Sequence, residues 1–223
     1  MTIAEKIRQL RTEIPSDVKI IAVSKTRSID EIMEAYLAGQ RIFGENKAQE
    51  LVSKQAMLPS DIEWHFIGHL QRNKVKQIIP FTSLIQSIDS LKLLRAVNKE
   101  AQAMNLSIKC LLQFHIATEE TKFGLDPEEA ITLLQTMKNE KMENVDILGV
   151  MGMATYTDDQ ELICREFQML RSFFSRLKRD FFPDDKEFKE ISMGMSGDYL
   201  SAVHEGSTMI RVGTVIFGER HYG

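Results

Sequence analysis

Lys25 follows the apolar run Ile20 to Val23 and a single serine in "IIAVSKT", where a short buried strand would end. In an α/β sheet or barrel, strand carboxyl ends are where loops build sites, so an ammonium there can act as a reactive amine as well as a surface cation. Polar side chains recur at comparable places: Glu45 and Asn46 in "FGENKAQE", His65 and His69 in "WHFIGHLQRNK", Ser192 and Ser196 in "SMGMSGDYL", and Arg211, Gly213 and Thr214 in "IRVGTVIFGE". Two of these segments have the composition of an anion cradle. "GMSGD" sets small residues and a hydroxyl between a strand and a helix start, and "RVGT" can add backbone N–H groups beside it. Each residue also has a structural role open to it: Asn46 as a helix cap, Gly213 as a strand terminator, His65 as a hydrogen-bonded packing group.

The same spacings argue against other chemistries. A hydrolase elbow needs G-x-S-x-G, and "GMSGD" brings its second glycine one residue too early, which makes Ser196 a poor nucleophile. His65 and His69 sit in a segment that begins as a strand and lacks HExxH, so no metal is expected. Neither a Walker-A motif nor a dinucleotide fingerprint occurs.

The elements that would position these residues alternate. Apolar runs predict strands over Lys19 to Ser24, Arg41 to Gly44, Glu63 to Ile67, Ser83 to Ser87, Ser107 to His115, Asp146 to Met151, Phe188 to Ser192 and Thr208 to Val212. Amphipathic stretches lie between them. The longest runs from Asp158 to about Asp180, with Ile163, Phe167, Leu170, Phe174 and Leu177 on one face. Helix starts are signalled by Ser28 or Asp30, by Asp126 with Pro127, and by Thr157 or Asp158. Near-continuous apolar strands such as "CLLQF" and "ILGVM" are those of parallel sheets covered on both faces. The pattern predicts a single (β/α)8 TIM-type barrel spanning residues 1–223, its extra amino-terminal helix taking the place of the outer helix that the short tail after the last strand cannot form.

With 223 residues, 43% of them apolar, the chain can bury a large core. A net charge of -4 with interspersed signs gives no reason to expect nucleic acid or a membrane surface as partner, and Arg72, Lys74 and Lys76 read as a solvated helix face. Two well-separated cysteines and the lack of a leader pattern or spanning apolar run suit a soluble cytoplasmic protein.

An amine facing a phosphate cradle suggests pyridoxal 5'-phosphate, whose aldehyde condenses with a neutral amine. The chain resembles the pyridoxal-phosphate homeostasis family (YggS/PROSC), which shares the barrel domain of alanine racemase. The likeness is carried by "AVSKT", "FGEN" with "QE", "WHFIGHLQRNKVK", "TKFGL", "GVMGMATYTDD" and "SMGMSGDYLSAVHEGSTMIRVGTVIFGER". It implies that Lys25 is the Schiff-base lysine, that Ser196 with the backbone at Gly213 and Thr214 holds the phosphate, and that Arg211 faces the pyridine nitrogen. Asn46, His65 and Ser192 are implied to line the pocket. After "FGEN" the family often carries an aromatic residue, whereas this chain has Lys47. The resemblance further implies vitamin B6 homeostasis, with pyridoxal-phosphate-dependent enzymes as client partners. The rival is an amino-acid racemase, which needs a second base; alanine racemases bring a tyrosine from a further domain, and this sequence reaches Gly223 without one. Without that domain's interface a monomer is expected.

Overall fold

A computed structural model describes residues 1–118 and 123–219, so Thr121 and Lys122 of "TKFGL" and Arg220 of the last motif lie outside the described residues. The expected strands form as β1 Lys19–Val23, β2 Ile42–Glu45, β3 Glu63–Phe66, β4 Thr82–Ile88, β5 Ile108–Phe114, β6 Val145–Gly152, β7 Glu190–Ser192 and β8 Met209–Val212. They pair in sequence order as a closed parallel barrel, with β8 returning to β1 through Ile21 opposite Arg211 and Ala22 opposite Val212. The fold is a (β/α)8 barrel.

Around it lie α1 Ile3–Glu13, α2 Ile29–Leu37, α3 Ala48–Gln55, α4 Val75–Ile78, α5 Leu91–Ala103, α6 Pro127–Asn139, α7 Gln160–Phe181, α8 Tyr199–His204 and α9 Thr214–Phe217. α1 packs between α2 and α9, as its expected role requires, but the tail after β8 does form a helix, the one-turn α9. Ser28 caps α2 and Asp126 caps α6, each in a capping box. The start of α7 corrects the expectation: Asp159, not Thr157 or Asp158, accepts from the Leu162 N–H, while Thr157 accepts from the Asp159 N–H. Arg72 and Lys74 belong to a 3-10 turn leading into α4, and Arg72 and Lys76 are exposed.

One large apolar core fills the space between barrel and helices. A second cluster of Ile21, Leu84, Leu111, Met151 and Met209 lies on the opposite strand faces and plugs the barrel interior. Lys19 pairs with Glu190 at the amino-terminal end of the strands, where Thr208 Oγ1 also donates to Glu190 at 2.7 Å. Among the described residues no helix is long and apolar enough to cross a membrane, and no three His, Cys, Asp or Glu are grouped to hold a metal.

Candidate functional site

Strand alternation carries the inward face from the apolar plug to the site: Gln86 lies two residues past Leu84, and Arg211 two past Met209. A chain of hydrogen bonds crosses the barrel there. Arg211 Nη1 donates to Ser192 Oγ at 2.7 Å, Ser192 donates to Gln86 Oε1 at 2.7 Å, and Gln86 Nε2 meets His65 Nδ1 at 2.9 Å. A guanidinium can only donate, so it fixes the direction of every later bond: the Ser192 hydrogen goes to the amide oxygen, the amide nitrogen donates, and His65 Nδ1 accepts. His65 therefore carries its proton on Nε2. Burial, with the charge of Lys19 adding to it, pushes the His65 pKa down to about 3, so the ring is neutral at pH 7. Arg211 Nη2 also donates to the Gly152 carbonyl at 2.9 Å. Burial lowers the Arg211 pKa to about 10 against the opposing charge of Asp198, leaving it protonated at neutral pH.

The ends of β7 and β8 meet as expected. Gly213 N–H donates to Ser196 Oγ at 3.2 Å, so the Ser196 hydroxyl hydrogen and the Thr214 N–H are the donors left over for an anion. A Cβ added at Gly213 would sit 3.3 Å from the Val23 carbonyl, which puts this corner against β1 two residues before Lys25. Around a Cβ added at Gly197 there is no atom within 4 Å, so the loop between Ser196 and α8 leaves open space. Asn46 Oδ1 is buried with no hydrogen-bond partner, an acceptor-bearing amide that a ligand can satisfy. This donor set fits a phosphorylated aldehyde: an amine, hydroxyl and backbone donors for the phosphate, and a neutral imidazole and a cation for the ring.

Of the expected neighbours, His69 separates from this group. His69 stands on the rim, its Nδ1 donating to the Asp89 carboxylate at 2.9 Å and its ring stacked on Phe123 with centroids 4.1 Å apart. It lines a rim cavity of about 590 Å³ with Arg72, Asn73 and Lys92, and a smaller one of about 200 Å³ that includes Asn46 and Lys47. Lys47 is exposed at the start of α3, where no aromatic ring is present. Gln86 was not among the expected residues. Its signal is an amide in the strand segment "SLIQSI", two residues after the apolar Leu84 and on the parity that faces the barrel axis.

The alanine racemase N-terminal domain model matches residues 1–221. The chain belongs to that family. Within it, the pyridoxal phosphate homeostasis protein of Pasteurella multocida is 35% identical over 237 residues, covering 100% of this chain and 99% of that protein. Its Homo sapiens counterpart is 37% identical, covering 98% of this chain and 84% of that protein. PipY of Synechococcus elongatus, solved with PLP bound, is 37% identical with a TM-score of 0.87, covering 97% of this chain and 100% of PipY. Alanine racemase of Clostridium difficile shares the fold at 13% identity and a TM-score of 0.77; this chain covers 56% of it.

Proposed function

We propose that this protein binds pyridoxal 5'-phosphate, holds it on Lys25 as a Schiff base, and serves vitamin B6 homeostasis rather than amino-acid turnover. The observation that carries the reading is the corner where Gly213 and Ser196 close against β1 just before Lys25. It supports a reading in which the Lys25 amine and the anion donors share one mouth of the barrel. The PLP-bound relative PipY, similar over nearly the whole chain, supports the same ligand.

The residues divide the work. Ser196 and the Thr214 N–H take the phosphate, with Gly213 holding Ser196 in place; Arg211 and the neutral His65 face the ring, kept in orientation by Ser192 and Gln86; Asn46 offers its unsatisfied amide at the edge. When bound, the cofactor supplies an aldehyde carbon for Lys25. We assign residues 1–223 to one domain that acts in the cytoplasm as a monomer and supplies pyridoxal-phosphate-dependent enzymes. Borohydride reduction followed by peptide mapping tests the assignment: the pyridoxyl group is expected on Lys25 and absent from Lys25→Ala. Label on a different lysine, or none, would end the reading.

A further inference from the structure

Both peptide units that flank the Lys25 Cα are bonded to one cluster, in which Lys54 and Glu45 are buried and Glu50 is partly exposed. The Ser24 carbonyl accepts from Lys54 Nζ at 2.7 Å, and the Thr26 N–H donates to Glu50 Oε2 at 2.8 Å. The same ammonium donates to Glu45 Oε1 at 2.7 Å and to Glu50 Oε2 at 3.2 Å, and Ser24 Oγ donates to Glu45 Oε1 at 2.7 Å. Lys54 is 6% exposed and Glu45 fully buried, so the three ammonium donors each meet an acceptor inside the protein. Burial raises the Glu45 pKa against the opposing pull of Lys54. Burial opposes ionisation of Glu50 too, but the Thr26 N–H and Lys54 outweigh it and hold Glu50 below the usual carboxylate range.

This arrangement is specific to one place in the chain. β1 ends where Ser24 N–H donates to Gly44 O at 3.0 Å, and beyond it Thr26 takes a positive φ of 64°, a conformation that a β-branched residue adopts only when its surroundings hold it. A lysine that merely fastened α3 to the barrel would have no need to bond the peptide entering Lys25 and, through Glu50, the peptide leaving it. We propose that Lys54 is a positioning residue for Lys25, holding its backbone in the orientation from which the amine reaches the cofactor aldehyde. The proposal rests on the reading of Lys25 as the Schiff-base lysine. In that reaction the neutral amine attacks the aldehyde carbon, the carbon–nitrogen bond forms, and the carbonyl oxygen leaves as water.

The test separates positioning from support. Pyridoxine 5'-phosphate keeps the ring and phosphate but has no aldehyde, so its affinity reports the pocket without Lys25 chemistry. Lys54→Met alone strands a buried carboxylate, so the informative variant is Lys54→Met with Glu45→Gln. It is expected to bind pyridoxine phosphate within about threefold of the parent while the visible absorbance of the pyridoxal phosphate adduct grows about 100-fold more slowly, the scale of a reacting group misplaced by about 1 Å. Equal losses for both ligands would reduce Lys54 to a structural support, and an unchanged rate would remove it altogether. If the double variant does not fold, Glu50→Ala removes the Thr26 acceptor and one of the three acceptors of Lys54, leaves the bonds of Lys54 to Ser24 and Glu45 in place, and is expected to show the same split between ligands, with the same two outcomes overturning the proposal. Peptide mapping of the parent keeps the two readings apart. Label elsewhere than Lys25 sinks the Lys25 assignment and the positioning with it, whereas label on Lys25 with unaltered variant rates sinks the role of Lys54 alone.

Discussion

His65 is neutral because the barrel interior gives an imidazolium nothing to lean on: its Nδ1 faces a donating amide, and Lys19 adds a repelling charge. The unfolded chain binds a proton on this histidine near its ordinary value of 6.5, the folded chain only near 3. The contribution of His65 to stability is therefore complete above pH 6.5 and is lost as pH falls toward 3, with a slope of up to about 1.4 kcal/mol per pH unit. Glu45, raised by burial, pulls the opposite way across part of that range, so the comparison must be made against a variant. His65→Gln is expected to flatten the slope between pH 6 and about 4 in urea titrations relative to the parent; parallel slopes would show that the ring is charged in the fold. Ser196 belongs to the same scale. Its hydroxyl is one donor to a charged acceptor, so Ser196→Ala is expected to weaken pyridoxal phosphate by roughly 1 to 3 kcal/mol and leave unphosphorylated pyridoxal nearly unaffected. Equal losses for both ligands in calorimetry would place the phosphate elsewhere.

Among the elements, the junction of β6 with its neighbours is the most constrained. The β5–β6 register shifts between Cys110 and Leu111, and Gly149, with φ at 154°, lies so close to β7 that an added Cβ would come within 1.8 Å of the Glu190 carbonyl. Gly149→Ala must push β7 away, and since Glu190 and Ser192 are on that strand, the ion pair with Lys19 and the Arg211 chain move with it. A loss of at least about 2 kcal/mol in unfolding free energy, read from urea titrations, is expected, together with weaker cofactor binding; a loss below that would mean the strands part easily. Periodicity in the sequence located all the strands because buried parallel strands have little but apolar residues to show. It overran β7, where Phe188 leaves the ladder to stack between Phe174 and Phe182 with centroids 5.0 and 4.2 Å away. Thr157, Asp158 and Asp159 can all cap a helix, and only the backbone path selects Asp159. Lys25, Ser196 and Arg211 were picked out as candidates because their motifs end strands. Gln86 and Lys54 were not, since nothing local distinguishes an amide or a lysine that finds its partners across the barrel or in a different element.

For the molecule as a whole, closure of the barrel decides what chemistry the site can support. The apolar plug of Ile21, Leu84, Leu111, Met151 and Met209 leaves the polar chain open only toward the carboxyl ends of the strands, and Arg211 lies in that chain 4% exposed. Its guanidinium is committed to Ser192 and the Gly152 carbonyl, it is protonated at neutral pH, and it has no lone pair to accept a hydrogen bond. A pyridine nitrogen turned toward it stays unprotonated, and an unprotonated ring draws electrons weakly from a substrate carbon. Loss of a proton from an amino acid held there is therefore expected to be slow, whichever face the proton leaves. The expected outcome is a protein that holds pyridoxal phosphate firmly yet racemises alanine or serine with a turnover below about 1 per second, under the span of ordinary enzymes. Circular dichroism of alanine incubated with the loaded protein measures it directly. A turnover between about 1 and 1,000 per second would show that Arg211 does not govern the ring and that the barrel is an amino-acid racemase in its own right.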